Sequence, residues 1–520
     1  MTHAGIDRGH APARVIDRVA TTTPELSSYD RRTVGWRNES SGPSPHRVVE
    51  REPRVLIVSN RLPVTAVERD GELRLQPSSG GLASAVRGVH ERFDSVWIGS
   101  LGAVDLDEHE FRGLRQRLAG DRLVGIALSE SERAGHYQCY SNGVLWPVLH
   151  GIESSSRGYR GWSAYRAVNQ RFANAVAAVY RRGDTVWVHD YQLMLVPQML
   201  RERLPDARIG FFLHTPVPSR DHRESLEEWT ELATGLSGAD IIGVQTEADA
   251  RRLAAALDVD ERANRAGAVF GQVIGHPRVM AFPIAVDHAW FAARARHPEV
   301  LNRRAAFRAA TAGPLFVGVD RLDYTKGIPE RLLAFQQLLA LEPALHGAAR
   351  FVQVAVPSRQ DVAGYAETRR RVEAIVQEIN GTFSTSNWTP VHYVHGSVDP
   401  YTLIALYRAA DVMVVTPRRD GMNLVAKEFV ASRIEGGGAL VLSRGAGAAE
   451  ELSDAVLVEP NNVSSALAGY QRAIQMSASE RRTRMRRMRQ TVCSRNVVRW
   501  ATECLSALAP ERRGMEDAAD

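Results

Sequence analysis

Residues Asp411-Val412-Met413-Val414-Val415-Thr416-Pro417 lead, through Arg418, into Arg419-Asp420-Gly421-Met422-Asn423-Leu424-Val425-Ala426-Lys427-Glu428. A short, unbroken apolar run that ends in a polar turn and continues as an amphipathic stretch reads as a buried parallel strand feeding a helix. Polar groups then collect where the strand stops. Gly421 lets the backbone approach a ligand. The N–H groups of Met422, Asn423, Leu424 and Val425 open the helix, where the dipole favours an anion. Glu428 lies one turn deeper on the face of Leu424, where a carboxylate can take two ribose hydroxyls.

The same design recurs earlier. Pro314-Leu315-Phe316-Val317-Gly318-Val319 runs into Asp320-Arg321-Leu322-Asp323-Tyr324-Thr325-Lys326-Gly327. Arg321 offers a bidentate fork and Lys326 a point charge, a pair of cations suited to a diphosphate. An isolated Arg or Lys in a loop is ordinarily a solvated charge. Two strand ends carrying complementary groups make a stronger pattern than either alone.

Outward from these stretches the whole chain keeps one rhythm. Apolar runs fall at 54–59, 96–98, 186–189, 209–214, 241–246 and 279–284, then at 315–319, 351–356, 391–394, 412–415, 439–442 and 456–458, with longer amphipathic stretches between them. Two successive sets of β-α units predict an α/β protein with two doubly wound, Rossmann-like parallel sheets facing across a cleft. Ligands are expected beyond the carboxyl ends of the strands. The expected partition is a disordered extension over 1–50, a first Rossmann-like domain over 51–286 and a second over 287–495. A helix over 496–510 is expected to pack back on the first domain, followed by a frayed tail over 511–520.

Composition bounds the function. The 520 residues are 44% apolar and 24% charged, ordinary for a globular enzyme. No run of about 18 apolar residues exists, so no membrane partner is expected, and 1–50 lacks the apolar core of a signal peptide, which makes the cytoplasm the default compartment. Cys139, Cys493 and Cys504 have no paired spacing, so neither a disulfide framework nor a zinc site is expected, and each reads as a small packed side chain. Lys and Arg number 65 against 60 Asp and Glu, a near balance. The basic run from Arg481 to Arg489 has helical spacing, with Met485 and Met488 on another face and no aromatic interleaving. It reads as a solvated helix face, and no nucleic acid partner is expected.

In the first half, Arg61 follows the first run as a candidate anion receptor, and Gly80-Gly81 opens a helix soon after. Asp190 and His214 each follow a strand, where a carboxylate orients a hydroxyl and an imidazole hydrogen-bonds a sugar. The segment from Tyr137 to Pro147, including Trp146, is rich in aromatic faces that suit a hexose or a core equally.

Together these segments resemble the trehalose-6-phosphate synthase family, retaining glycosyltransferases of the GT-B architecture built from two Rossmann domains. The likeness runs from about Arg54 to about Leu508. It rests on Ser59-Asn60-Arg61, Gly80-Gly81-Leu82-Ala83, Tyr137 through Ser141-Asn142 to Leu145-Trp146-Pro147, and His189-Asp190-Tyr191. In the same order follow Phe211-Phe212-Leu213-His214, Gly243-Val244-Gln245-Thr246-Glu247, Arg321-Leu322-Asp323-Tyr324-Thr325-Lys326-Gly327, Pro357-Ser358-Arg359 and Arg419 to Glu428.

The resemblance implies glucose transfer from UDP-, ADP- or GDP-glucose to glucose 6-phosphate, giving α,α-trehalose 6-phosphate, with no cofactor and no essential metal. It assigns catalysis to Arg321, Lys326, His214 and Asp190. It assigns the donor to Gly81, Arg321, Lys326, Asp420, Gly421, Met422, Asn423, Leu424, Val425, Glu428 and His214, and the acceptor to Arg61, Tyr137, Trp146, Asp190 and Arg359. A separate trehalose-phosphate phosphatase is expected downstream, and a homo-oligomer is compatible with the sequence. His214-Thr215-Pro216-Val217-Pro218 departs from a more usual His-Ile-Pro-Phe-Pro, which bears on the acceptor. The alternatives are a glucosylglycerol-phosphate synthase taking glycerol 3-phosphate and a non-catalytic sugar-phosphate sensor. A nicotinamide dehydrogenase is disfavoured because no Gly-x-Gly-x-x-Gly follows the first strand.

Overall fold

A computed structural model describes residues 54–69, 72–78, 81–102, 108–153, 161–267, 277–359 and 363–509. The readings of 1–50 and of the last ten residues, together with Gly80, lie outside them.

The described residues form fifteen strands: β1 Val55–Arg61, β2 Val64–Arg69, β3 Glu72–Pro77, β4 Ser95–Ser100, β5 Leu123–Ile126, β6 Thr185–His189, β7 Arg208–Phe212, β8 Ile241–Val244, β9 Arg278–Ala281, β10 Leu315–Arg321, β11 Arg350–Val356, β12 Val391–His395, β13 Val412–Val415, β14 Ala439–Ser443 and β15 Val456–Val458. The first sheet has the order β5-β4-β1-β6-β7-β8-β9 and the second β12-β11-β10-β13-β14-β15. Every pairing within the two sheets is parallel. In both, the chain works outward one way from its first strand and then returns to the other side. The order therefore reverses at β1 in one sheet and at β10 in the other, and such a reversal opens a crevice at the carboxyl ends.

β1 and β10 are built alike. Each is buried for most of its length and ends on an exposed arginine, Arg61 in one and Arg321 in the other. The apolar body locks into a core covered on both faces, while the final residue emerges at the crevice.

The sequence reading misses two features. β5 is only Leu-Val-Gly-Ile at a sheet edge, too short to stand out as an apolar run, and β2 with β3 forms an antiparallel hairpin apart from both sheets. It also carries β7 to His214 and β9 to Ile284, whereas both strands stop earlier, before Pro216 and Pro283, whose nitrogens cannot serve a ladder.

One apolar core lies against each sheet, and a third runs continuously from Trp97 and Phe212 through Val317 and Met422 to Trp500. The terminal helix Val497–Ala507 completes it. Trp500 packs 5.1 Å from Trp187 and edge-on to Phe212 at 5.2 Å, and its Nε1 donates to the Phe282 carbonyl at 3.1 Å. The basic run forms the helix Ala478–Ser494, with Met485, Met488 and Val492 buried. Arg484, Arg487 and Arg489 pair with Glu480, Asp454 and the carbonyls of Val430 and Ala431, while Arg482 and Arg486 are exposed. Cys139 corrects the reading of packed cysteines: it is exposed, while Cys504 is buried. No helix among the described residues is long and apolar enough to cross a membrane.

Candidate active site

The crevices of the two sheets face each other, and charged or polar side chains from six strand ends meet there. At the end of β10, Asp323 caps the turn Tyr324–Lys326 by accepting from the Thr325 N–H, and Gly327 leaves it at φ +65°. That turn aims Lys326 at the loop after β13. Its Nζ donates to Asp420 Oδ2 at 2.5 Å, and Asn423 Nδ2 donates to the same oxygen at 3.1 Å. Burial pushes the Asp420 carboxyl up, but Lys326 outweighs it and keeps the group ionised. Asn423, at φ +76°, caps the helix Leu424–Ser432 by accepting from the Ala426 N–H. Met422, Leu424 and Val425 therefore lie at that helix entry, as the sequence predicts. Glu428 accepts from the Tyr407 hydroxyl at 2.9 Å, and burial pushes its carboxyl up.

Gly421 also serves a contact that the sequence does not predict. A Cβ there would sit 2.1 Å from the His214 carbonyl oxygen. The missing side chain lets the loops after β13 and β7 touch. Arg419 extends the same contact. Its Nη2 donates to the Val217 carbonyl at 2.5 Å, while Asp249 takes the Val217 N–H at 3.0 Å, so the segment after His214 is pinned from both sides.

Asp190 follows β6 in the left-handed region at φ +74°, a costly conformation for a residue with a Cβ. Its N–H donates to the Phe212 carbonyl at 2.8 Å and its Oδ1 accepts the His214 N–H at 3.2 Å, which ties the ends of β6 and β7 together. Burial pushes the Asp190 carboxyl up to about 6.

The Gln245 amide orients the His214 ring. Its Oε1 accepts the Ile284 N–H at 3.0 Å, so its Nε2 faces His214 Nδ1 at 3.4 Å. With Nδ1 accepting, His214 carries its proton on Nε2 and donates to His189 Nδ1 at 3.2 Å. Burial holds both imidazoles neutral, His189 at about 3 and His214 well below the ordinary value.

A second cluster adjoins the first. Arg359, at φ +49°, lays its guanidinium 3.9 Å above the Trp146 ring. It donates to Asp323 Oδ2 at 3.1 Å, to the Tyr365 hydroxyl at 2.5 Å and to the Tyr191 hydroxyl at 3.2 Å, and its buried Nε has no partner. Arg321 lies 5.3 Å from the same indole, and Arg61 lies 5.0 Å from the Tyr137 ring. Burial pushes the Asp323 carboxyl up, but Arg359, Arg321 and Lys326 outweigh it and hold it at about 2. Burial also works to raise the Tyr137 phenol, and the charges of Arg359, Arg61 and Arg321 bring it below its ordinary value instead.

Tyr137 lies in a π-helix over Ala134–Leu145 that passes directly into the short helix beginning at Trp146. Runs of this wide helix are rare and cluster at functional sites. Trp162 and Tyr165, one turn apart on the next helix, brace it by packing 4.9 Å and 4.8 Å from Tyr140.

The structure thus gathers Arg61, Tyr137, Trp146, Asp190, His214, Arg321, Lys326, Arg359, Asp420 and Gly421 in one crevice, with Glu428 a helical turn behind. Gly81 opens the helix Gly81–His90 after the hairpin, where the Ser78 N–H returns to the Pro63 carbonyl at 2.8 Å. Sequence reasoning missed Asp323, Tyr191, Tyr365 and Arg419. Asp323, Tyr191 and Arg419 stand inside quoted motifs, so their presence was visible, whereas their partners come from remote segments. Among the described residues, no group of three His, Cys, Asp or Glu side chains is placed to share a metal ion.

A family model described as glycosyltransferase family 20 matches residues 53–510. The chain is 42% identical over 470 residues to a trehalose-6-phosphate synthase of Mycobacterium avium (strain 104), covering 87% of this chain and 95% of that protein. It is 39% identical over 480 residues to a bifunctional trehalose-6-phosphate synthase/phosphatase of Thermoproteus tenax, covering 89% of this chain but only 64% of that longer protein. Among solved structures, it superposes with a TM-score of 0.74 and 32% identity on an alpha,alpha-trehalose-phosphate synthase (UDP-forming) from Burkholderia xenovorans in complex with glucose-6-phosphate, covering 88% of this chain and 99% of that one.

Proposed function

The chain belongs to glycosyltransferase family 20, and from that premise we propose that it moves glucose from a nucleoside diphosphate glucose to glucose 6-phosphate with retention, making α,α-trehalose 6-phosphate. One observation carries the reading: the Lys326–Asp420 pair and the Arg359–Trp146 stack stand on adjoining strand ends and share Arg321 and Asp323 between them.

The roles follow from that layout, with 51–286 taken as the acceptor lobe and 287–495 as the donor lobe. Arg321 and Lys326 hold the donor diphosphate, met by Gly81 and by the helix entry at Met422 to Val425, while Glu428 takes the ribose through the oxygen Tyr407 leaves free. Asp420 and His214 meet donor glucose, the imidazole by exchanging its long Gln245 contact for a sugar hydroxyl. Arg359, Arg61 and Tyr137 grip the 6-phosphate over Trp146, and Asp190 orients the attacking sugar.

As the glycosidic bond to phosphate breaks, negative charge grows on the diphosphate. Arg321 and Lys326 stabilise it where it forms, and the leaving phosphate takes the proton of the incoming hydroxyl on the same face of the sugar. These cations supply the charge that a metal would otherwise bring, so no metal is needed. Contact between the loops at Gly421 and His214 closes the site over both substrates and keeps water from the donor. The enzyme is expected to work in the cytoplasm. The aromatic wall from Tyr137 to Trp146 favours a hexose over glycerol 3-phosphate.

The test is nucleotide release from UDP-, ADP- and GDP-glucose, each with glucose 6-phosphate, with glycerol 3-phosphate and with no acceptor, with NMR of the product. Release that requires glucose 6-phosphate and yields an α,α-linked disaccharide phosphate is expected. Release only with glycerol 3-phosphate moves the chain to the rival synthase. Ligand binding without any release makes it a sensor.

A further inference from the structure

His150 has no place in the roles above, yet it lies within the same crevice. It is 4% exposed, and its ring packs on Trp146 with centroids 4.0 Å apart and planes at 38°. Its Nδ1 stands 2.7 Å from the Trp146 carbonyl oxygen. A carbonyl only accepts, so Nδ1 carries the hydrogen and Nε2 of the neutral ring keeps a lone pair. That Nε2 is buried without a partner, as is the indole Nε1–H of Trp146 beside it.

The surroundings show what such a pair can hold. The next residue, Gly151, would place a Cβ 3.3 Å from Arg419 Nη1, so this turn abuts the loop that carries Asp420. The charges of Asp323, Lys326 and Asp420 all reach His150, and burial pushes its pKa down to about 4, so the ring stays an acceptor at neutral pH. Arg359 and Arg321, whose guanidiniums lie 3.9 Å and 5.3 Å from the Trp146 ring, can only donate. They suit a phosphate and offer nothing to the hydrogen of a hydroxyl. A buried acceptor next to a buried donor, each unsatisfied, matches a group that is both at once, and a sugar hydroxyl is such a group.

We propose that His150 Nε2 accepts a hydrogen bond from one hydroxyl of the hexose seated on Trp146, which makes His150 a specificity-determining residue for the acceptor sugar. The proposal rests on the glucosyl-transfer reading for the identity of that hexose. A site built to bond a hydroxyl rejects the analogue that lacks it, because its own polar group is then left buried and unpaired.

The experiment is calorimetric binding of glucose 6-phosphate and its 1-, 2-, 3- and 4-deoxy analogues to the full-length protein and to His150→Asn and His150→Gln. The Asn amide keeps the bond to the Trp146 carbonyl but removes the Nε2 acceptor. The Gln amide reaches toward the Nε2 position. The wild-type protein should bind one analogue about 10-fold or more weaker than the parent. In His150→Asn that one ratio should collapse toward unity while the other ratios stay as in wild type, and His150→Gln should recover part of it. A uniform loss across all analogues, or wild-type ratios throughout in His150→Asn, overturns the proposal. Binding is read without turnover, so a wild-type protein that binds the sugars but releases no nucleotide refutes the transfer reading and leaves the His150 result standing on its own.

Discussion

Arg359 stands 3.9 Å above the ring of Trp146, and the two come from different sheets: Arg359 follows β11 of the second, and Trp146 ends the π-helix of the first. One guanidinium thereby spans the crevice, held by Asp323 on its own side and by Tyr191 on the other. Arg359 is thus a strap between the lobes, and on the proposed reading the same residue grips the acceptor phosphate.

Arg359→Ala should therefore do two things. It takes from the buried Asp323 carboxylate its closest cation while Arg321, Lys326 and the Thr325 bonds remain, which costs about 1–3 kcal/mol of stability, and it raises KM for glucose 6-phosphate far more than KM for the nucleotide sugar. Denaturant unfolding and steady-state kinetics read the two effects. Adding Asp323→Asn should return much of the stability and none of the acceptor affinity. A variant that keeps wild-type KM for glucose 6-phosphate contradicts the assignment.

Lys326→Ala should reduce turnover by about 100-fold or more, the scale for removing one preorganised contact to developing charge, and change acceptor KM little. Lys326→Arg should not restore it, because the compact ammonium 2.5 Å from Asp420 leaves no room for a planar fork. Unchanged turnover in Lys326→Ala would sink the leaving-group role.

Gly421→Ala introduces a Cβ 2.1 Å from the His214 oxygen and must push the two loops apart. A displacement of about 1 Å at a reacting centre costs on the order of 100-fold in rate. The expected outcome is a folded protein with a lowered melting temperature, slow transfer and a larger share of donor lost to hydrolysis. Wild-type transfer in this variant would mean that the loops need not touch.

The pH dependence of stability should separate Asp190 from Asp323. Burial holds Asp190 at about 6, above the ordinary 3.8, so the folded state binds this proton more tightly than the unfolded chain does. Ionising it destabilises the fold, with the penalty full above about pH 6 and gone below about pH 4. Asp323, held at about 2, contributes the opposite way: its stabilisation is present above about pH 4 and is lost as pH falls toward 2. Asp190→Asn should stabilise the protein at pH 7 on the order of 2 kcal/mol and give no gain at pH 4, while transfer falls. An equal gain at both pH values would rule out the buried carboxylate as its source.

Much of this site was legible in the sequence because strand ends announce themselves. An apolar run that gives out just before Arg61 or Arg321 gives both the position of the residue and its exposure, and β1 and β10 behave as that rule requires. The rule fails where local pattern is silent. β5 is four residues long, the hairpin β2–β3 belongs to neither sheet, and Cys139 is exposed where a packed thiol was expected. Nothing in the local sequence singles out His150. Only its bond to the Trp146 carbonyl and the burial of its other nitrogen distinguish it.

By itself, the sequence determined the two parallel sheets and the residue types at their carboxyl ends, because alternation of apolar runs with amphipathic stretches and the chemistry of strand-to-helix turns are local properties of the chain. Tertiary structure decided what those residues do to one another. Asp323 is ionised and Asp190 is poised near 6 because one is packed against three cations and the other is buried with few. Gly421 matters because another backbone lies where its side chain would be. Burial, charge pairing and contact across 100 or more residues depend on distances in space, and no spacing along the chain encodes them.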